Sequence, residues 1–202
     1  MARNKFIVLE GNDGAGKTTI IKKLEAELFV QHYRFVKDPG CTPLGEKIRA
    51  LLLDKKNSEM DPTTELMLFA ASRAQMVNQV VKPSLQNHHV ISDRFTLSTM
   101  VYQDGVKNLG NFKEVVEFGL KDLWPDLIIV LDVPPEVSCA RISGREMDRM
   151  ESKGVEQFKI RRDKYLEYAK DMKNTVIMDA NKPLQFVYED VLLAIREKAS
   201  QS

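Results

Sequence analysis

The chain has 202 residues, 43% of them hydrophobic and 29% charged, and its basic residues exceed its acidic ones by one. That is apolar material enough for a single core; it excludes a disordered polyelectrolyte and an overall basic nucleic-acid binder, and no apolar run approaches the length of a membrane span. The two cysteines, Cys41 and Cys139, lack metal-type spacing and no signal segment is expected before the first strand, so one globular unit over residues 1–202 in a reducing, cytoplasmic setting is predicted.

In chain order, Phe6-Ile7-Val8-Leu9 is a short apolar run suited to a buried strand, and Ile20, Ile21, Leu24 and Leu28 repeat with helical spacing. Between them Gly11-Asn12-Asp13-Gly14-Ala15-Gly16-Lys17-Thr18 matches the phosphate-loop pattern G-x-x-x-x-G-K-[ST]. Backbone N–H groups of such a loop cradle phosphates, Lys17 reaches the β and γ oxygens, and the Thr18 hydroxyl binds Mg²⁺. A merely structural glycine turn would leave Lys17 and Thr18 at the head of the helix unexplained.

Tyr33-Arg34-Phe35-Val36 reads as a second strand, ending in the loop Lys37-Asp38-Pro39-Gly40-Cys41-Thr42-Pro43. Leu44, Ile48, Leu51 and Leu52 predict a helix, and Asp61-Pro62 starts another, with Asp61 as N-cap, that runs to about Pro83. Strands are predicted at Val90–Asp93, Leu127–Asp132 and Thr175–Met178, with helical stretches between them. The pattern is α/β: a five-stranded parallel sheet with helices on both faces, whose ligands bind beyond the carboxyl ends of the strands.

Four further features fall near those ends. An acid closing a buried strand beside a phosphate loop suits a metal site, so Asp93 is the candidate, directly or through water, with Arg94 as a forked phosphate donor. Asp132 competes for the metal, but capping the helix near Pro135 is the preferred reading; a surface salt bridge is the bland reading of Arg94. Phe69 and Arg73 share a helix face and together offer a stacking surface and a donor to a planar base, unless Arg73 merely snorkels at the margin of its stripe. Thr99, Tyr102 and Gln103 fall within one helical turn after Asp93-Arg94. Arg141, Arg145, Asp148, Arg149 and Glu151, interrupted by Gly144, read either as a solvated helix face or as a mobile cationic lid at about 141–152.

Together these residues resemble the thymidylate kinase family. The likeness covers the phosphate loop through Thr19, the Lys37–Pro43 loop with Gly45, Glu46 and Arg49, Glu65–Gln75, Asp93-Arg94-Phe95 through Gln103, Pro125–Glu136 and Asp148-Arg149. It implies a P-loop nucleoside-monophosphate-kinase fold, a homodimer, and transfer of the γ-phosphoryl group of MgATP to dTMP, with ATP and dTMP as partners and neither nucleic acid nor membrane. By the same resemblance Gly11, Asn12, Asp13, Gly14, Ala15, Gly16, Lys17, Thr18 and Thr19 hold ATP, and Asp13 lies between the two substrates. Arg94 binds the dTMP phosphate, while Lys37 and Pro39 belong to the acceptor loop. Phe69 stacks on thymine, Arg73 donates to its O4, Thr99 or Gln103 meets the N3 edge, and Tyr102 fills the space of a 2′-hydroxyl. Ala15 stands where one branch of the family has an arginine, which sends the catalytic cation to the lid, as Arg145 or Arg149; Arg141 covers the adenine.

The chain departs from the family at Lys37-Asp38-Pro39-Gly40-Cys41, where Arg-Glu-Pro-Gly-Gly is usual, and at Asp104-Gly105-Val106-Lys107, where Gly-Gly-Arg follows the glutamine. A lysine lacks the fork of an arginine, so substrate affinity is the property these changes touch. The Asp38-Pro39 peptide is expected to be cis. The alternatives are another P-loop nucleotide or nucleoside kinase, an inactive ATP-binding regulator, and a GTP-operated switch, for which Asn181-Lys182-Pro183-Leu184 lacks the acid of the guanine signature. His32, His88 and His89 are read as surface or loop residues.

Overall fold

Five strands, β1 (Phe6–Gly11), β2 (Tyr33–Lys37), β3 (His89–Asp93), β4 (Leu127–Asp132) and β5 (Thr175–Asp179), form one parallel sheet in the order β2-β3-β1-β4-β5. The computed structural model describes residues 3–28, 32–103, 112–143, 149–150 and 154–201. Parallel neighbours need crossovers, and helices supply them: α1 (Lys17–Leu28), α2 (Pro43–Leu53), α3 (Pro62–Met76), α4 (Lys82–Ser84), α5 (Thr96–Tyr102), α6 (Phe112–Leu120), α7 (Pro135–Ile142) and α8 (Gly154–Asp171), while α9 (Leu184–Ser200) follows the last strand. The expected five-stranded parallel sheet is what forms.

The period-two geometry of a strand sends alternate side chains to opposite faces. Ile7, Leu9, Ile129 and Leu131 pack on one face with Ile20, Leu24 and Leu28 of α1 and Val187, Val191 and Ile195 of α9. On the other face Phe6 and Val8 meet Met76, Val77, Val81 and Phe95, while Ile128 and Val130 meet Leu97, Val101, Tyr165 and Ala169. Burial on both faces explains why β1 and β4 read as continuous apolar runs. β2 and β5 are the edges, and on β5 Val176 and Ile177 are exposed.

Asp61 accepts from the Thr63 and Thr64 N–H groups and so caps α3, with Pro62 at its first position, as the sequence predicts. The helix does not simply run to Pro83. It widens into a π turn at Val77–Val81 that keeps the fully buried Val77 and Val81 on the sheet, and α4 follows directly. Asp132 does not cap α7: both its carboxylate oxygens accept from Arg162 of α8, Nε at 2.6 Å and Nη2 at 2.9 Å, and Asp132 does not line the cavity beside the phosphate loop. Arg162 is a partly exposed cation 30 positions further along the chain, and no spacing rule joins it to Asp132 in the sequence. The Asp38-Pro39 peptide is cis, as expected. His89 opens β3 and accepts the Lys5 N–H at 3.0 Å, away from the carboxyl ends of the strands. Among the described residues no helix is long and apolar enough to cross a membrane.

Candidate active site

The loop between β1 and α1 bends through Gly14 and Gly16, both at positive φ. Gly14 also packs so closely on α7 that a Cβ there would stand 2.4 Å from the Ser138 carbonyl oxygen. The loop opens on a cavity of about 480 Å³ beyond the carboxyl ends of the strands, lined from it by Asp13, Gly14, Gly16, Lys17, Thr18 and Thr19. Lys17 is buried and folded onto its own loop, its Nζ donating to the Gly11 carbonyl at 2.9 Å and the Asn12 carbonyl at 2.8 Å. Burial and the neighbouring Arg94 pull its ammonium down to about 8, against Asp13, Asp93 and Glu10. Gly11, Asn12 and Ala15 serve the loop from outside this cavity: Gly11 and Asn12 through their carbonyls, Ala15 through its N–H, which donates to Asn12 at 3.2 Å.

Arg94 is the hub. Its backbone sits at φ 69, a left-handed conformation costly for a non-glycine residue, and it is held there by its bonds. Nη1 donates to the Gly11 carbonyl at 3.1 Å, the Ser98 hydroxyl at 2.9 Å and the Tyr165 hydroxyl at 3.0 Å; Nη2 donates to Asp13 Oδ1. Tyr102 donates its hydroxyl proton to Asp13 Oδ2 at 2.6 Å. Burial alone would raise the Asp13 carboxyl, but Arg94, Lys17, the Tyr102 hydroxyl and Arg161 together hold it down to about 2. Arg94 is thus no surface salt bridge.

Beneath Arg94 lies a residue that sequence reasoning missed. Glu10 is fully buried at the end of β1 and accepts from the Phe95 N–H at 2.8 Å, the Ser98 N–H at 3.1 Å and the Ser98 hydroxyl at 2.5 Å. It anchors the start of α5 and thereby the Asp93-Arg94 corner. The signal was present, as an acid closing the apolar run Phe6–Leu9.

Phe69 and Arg73 both line the same cavity, with Pro39, Leu53, Phe95, Thr99 and Met150. Arg73 is 1% exposed, so it does not snorkel. Its Nε donates to Asp38 Oδ2 at 2.6 Å, and Nη2 donates to the Phe95 carbonyl at 3.2 Å and to the Thr99 hydroxyl. Nη1 of Arg73 and Oδ1 of Asp38 are buried with no protein partner. Asp38 is the counterion that makes a buried guanidinium tolerable, and burial raises its carboxyl against the pull of Arg73. Lys37 and Arg49 stand at the same wall, Arg49 donating to the Pro39 carbonyl at 3.0 Å. With Lys17, Arg73, Arg94 and Arg141 they give the cavity six cations against the acids Asp13, Asp38 and Asp93, a field for polyanions.

The charged segment after α7 divides. Arg141 ends α7 beside the loop, donating to the Gly14 carbonyl at 3.4 Å and the Ala180 carbonyl at 3.2 Å. It lines the main cavity and a smaller one of about 220 Å³ that also takes in Ala15, Thr19, Lys182 and Leu184. Of Asn181-Lys182-Pro183-Leu184, weighed as a guanine signature without its acid, Lys182 and Leu184 therefore line the smaller cavity beside the phosphate loop. Arg145, Asp148 and Glu151 lie outside the described residues. Arg149 is turned to α2 and α3: Nε donates to the Leu52 carbonyl at 2.9 Å, Nη2 to Glu65, and it does not line the cavity. Gln103, expected at the base edge, is buried and donates to the same Glu65, also away from the cavity lining. The attraction of the buried Glu65 carboxylate redirects both side chains.

The described residues hold no cluster of three or more metal-ligating side chains. Mg²⁺ does not need one, because it keeps waters and binds through one or two carboxylates together with substrate phosphates. The buried Asp93 Oδ1 lacks a protein partner and lines the same cavity as the Thr18 hydroxyl, a donor set that fits such an ion.

One cavity thus joins a phosphate loop to a cation-lined, partly apolar wall, with room for more than the phosphates alone, and comparison with known proteins gives the family. The profile described as "Thymidylate kinase" matches residues 9–191. The chain belongs to the thymidylate kinase family. It is 39% identical to a thymidylate kinase of Thermosipho melanesiensis over 193 residues, 92% of this chain and 94% of the relative. Identity is also 39% to that of Caldanaerobacter subterraneus over 201 residues, 96% of each chain. A thymidylate kinase of Idiomarina loihiensis is 37% identical over 199 residues, 96% of this chain and 97% of the relative. The fold is accordingly the P-loop nucleoside-monophosphate-kinase fold of that family.

Proposed function

We propose that this chain phosphorylates dTMP to dTDP with MgATP by in-line transfer of the γ-phosphoryl group. The observation that carries the reading is the buried, unpartnered Nη1 of Arg73 beside Phe69, in a cavity continuous with the phosphate loop. A planar pyrimidine stacked on Phe69 presents O4 to that donor, and Thr99, fixed by Arg73, lies at its N3 edge. Pro39, Leu53, Phe95 and Met150 supply apolar surface for the ring methyl.

The acceptor phosphate falls to Arg94, with Lys37 and Arg49 at the same wall. ATP phosphates take the loop N–H groups, and Lys17 exchanges the Gly11 and Asn12 carbonyls for the β and γ oxygens; Arg141 covers the adenine at the smaller cavity. Thr18 and, through water, Asp93 would hold Mg²⁺, which when bound with ATP neutralises charge on the phosphate oxygens. At about 2 the Asp13 carboxyl stays ionised at neutral pH, so it orients the acceptor rather than storing its proton. No base is required, because the attacking phosphate is already anionic. Of the lid arginines we assign Arg145 to the transferring group; the bonds of Arg149 to Glu65 and Leu52 support an anchoring task.

The reading carries a cytoplasmic setting, consistent with the unpaired Cys41 and Cys139, and a homodimer, consistent with exposed Leu44, Leu51 and Met67 on α2 and α3. Sizing should return about twice the 23.1 kDa chain mass, and a monomer at micromolar concentration would contradict the dimer.

ADP release measured over dTMP, dUMP, dCMP, dGMP and thymidine tests the function. It should rise most with dTMP, yet only about fourfold over dUMP from the methyl group, since one buried methyl is worth about 0.8 kcal/mol. A strong response to another acceptor with none to dTMP would assign a different nucleotide kinase.

A further inference from the structure

Helix α8 turns Phe158, Arg161 and Tyr165, at spacings of three and four, toward the back of the site. The Phe158 carbonyl accepts from the Asn12 amide at 2.8 Å, and the Tyr165 hydroxyl accepts from Arg94 at 3.0 Å. Arg161 lies between them, 5% exposed and off the cavity surface. Its guanidinium carbon stands 4.3 Å from the centroid of the Tyr102 ring, its Nη2 donates to the Met150 carbonyl at 2.6 Å, and its Nη1 lies 3.8 Å from Asp13 Oδ2. Nη1 makes no hydrogen bond although it is buried.

A desolvated guanidinium is costly unless its charge is answered. The answers here are the Tyr102 ring face, the Asp13 carboxylate and a peptide carbonyl, and all three residues line the main cavity. At 3.8 Å the approach to Asp13 is an electrostatic tether, adding to the direct bond that Asp13 receives from Arg94. Arg162 next to it is spent on Asp132, so the two adjacent arginines have separate tasks.

We propose that Arg161 is a positioning residue that fixes Asp13 and Tyr102 against the Met150 carbonyl and thereby sets the affinity for the acceptor nucleotide while leaving ATP affinity untouched. The inference rests on the dTMP kinase reading and adds to it a residue behind the pocket wall.

Arg161→Gln keeps a donor for the Met150 carbonyl and removes the charge; Arg161→Lys keeps the charge and loses the fork. Steady-state kinetics of both, beside wild type, should show KM for dTMP raised about tenfold in Arg161→Gln, KM for ATP within about twofold, and Arg161→Lys within about threefold of wild type on both. A purely structural arginine would instead lower the melting temperature with both KM values unchanged or raised together. Either pattern in Arg161→Gln, or a lysine variant as impaired as the glutamine one, overturns the proposal. Should Arg161→Gln lack a cooperative melt, Arg161→Met of similar length serves the same comparison. The wild-type arm separates the two levels: no dTMP-dependent turnover there refutes the kinase reading, whereas an active wild type with an unaltered KM in the variant refutes Arg161 alone.

Discussion

Arg94→Ala should lower kcat/KM for dTMP by about a hundredfold or more, and Lys17→Ala should do the same. Arg94 occupies the junction of both half-sites, bonded to the loop at Gly11, to Asp13, and to Ser98 and Tyr165 behind it. Truncation removes the forked donor proposed for the acceptor phosphate and frees Asp13 from its main cation. Arg94→Lys should recover little, since one ammonium cannot reproduce five directed bonds from a left-handed backbone. Lys17 is closer to a point charge, so its loss should fall on kcat more than on the KM for dTMP. Near-normal turnover in either alanine variant would remove that residue from the site.

Arg73→Ala should cost about 3–5 kcal/mol of stability as well as acceptor binding, because it leaves the Asp38 carboxylate buried without a counterion. Arg73 and Asp38 are 1% and 2% exposed, and the Nε–Oδ2 bond is 2.6 Å. Urea melts of Arg73→Ala, Asp38→Ala and the double variant give the coupling directly. The double variant should be more stable than Arg73→Ala, since it no longer buries a lone charge, yet its KM for dTMP should stay high because the donor beside Phe69 is gone. A double variant as unstable as the sum of the single ones would mean the pair is not coupled.

Much of this architecture is legible in the sequence because it is local. The strand, loop and helix around Lys17, the Asp93-Arg94 corner and the Phe69/Arg73 spacing each fall within a few residues, where periodicity and motif chemistry apply. What escaped is what folding brings from afar. Asp38 meets Arg73 across 35 positions and Glu10 meets Ser98 across 88, and no spacing rule joins them. Charge pairing decides several orientations that type alone does not: Glu65 takes Gln103 and Arg149 from the expected site, and Arg162 takes Asp132 from the cap. The whole back wall on α8 belongs to this group, although an arginine between Phe158 and Tyr165 on one helical face is a signal that a partner-seeking reading of buried cations can use. The π turn after α3 likewise reflects packing of Val77 and Val81 on the sheet rather than any local preference.

In the proposed reaction two nucleotide sites meet across Asp13 and Arg94 and a phosphoryl group passes between them. It is tested most directly by following label from γ-³²P-ATP with and without dTMP. The prediction is that label appears in dTDP, with ADP formed in equal amount and only when dTMP is present. Label released as inorganic phosphate at a rate indifferent to dTMP would contradict it.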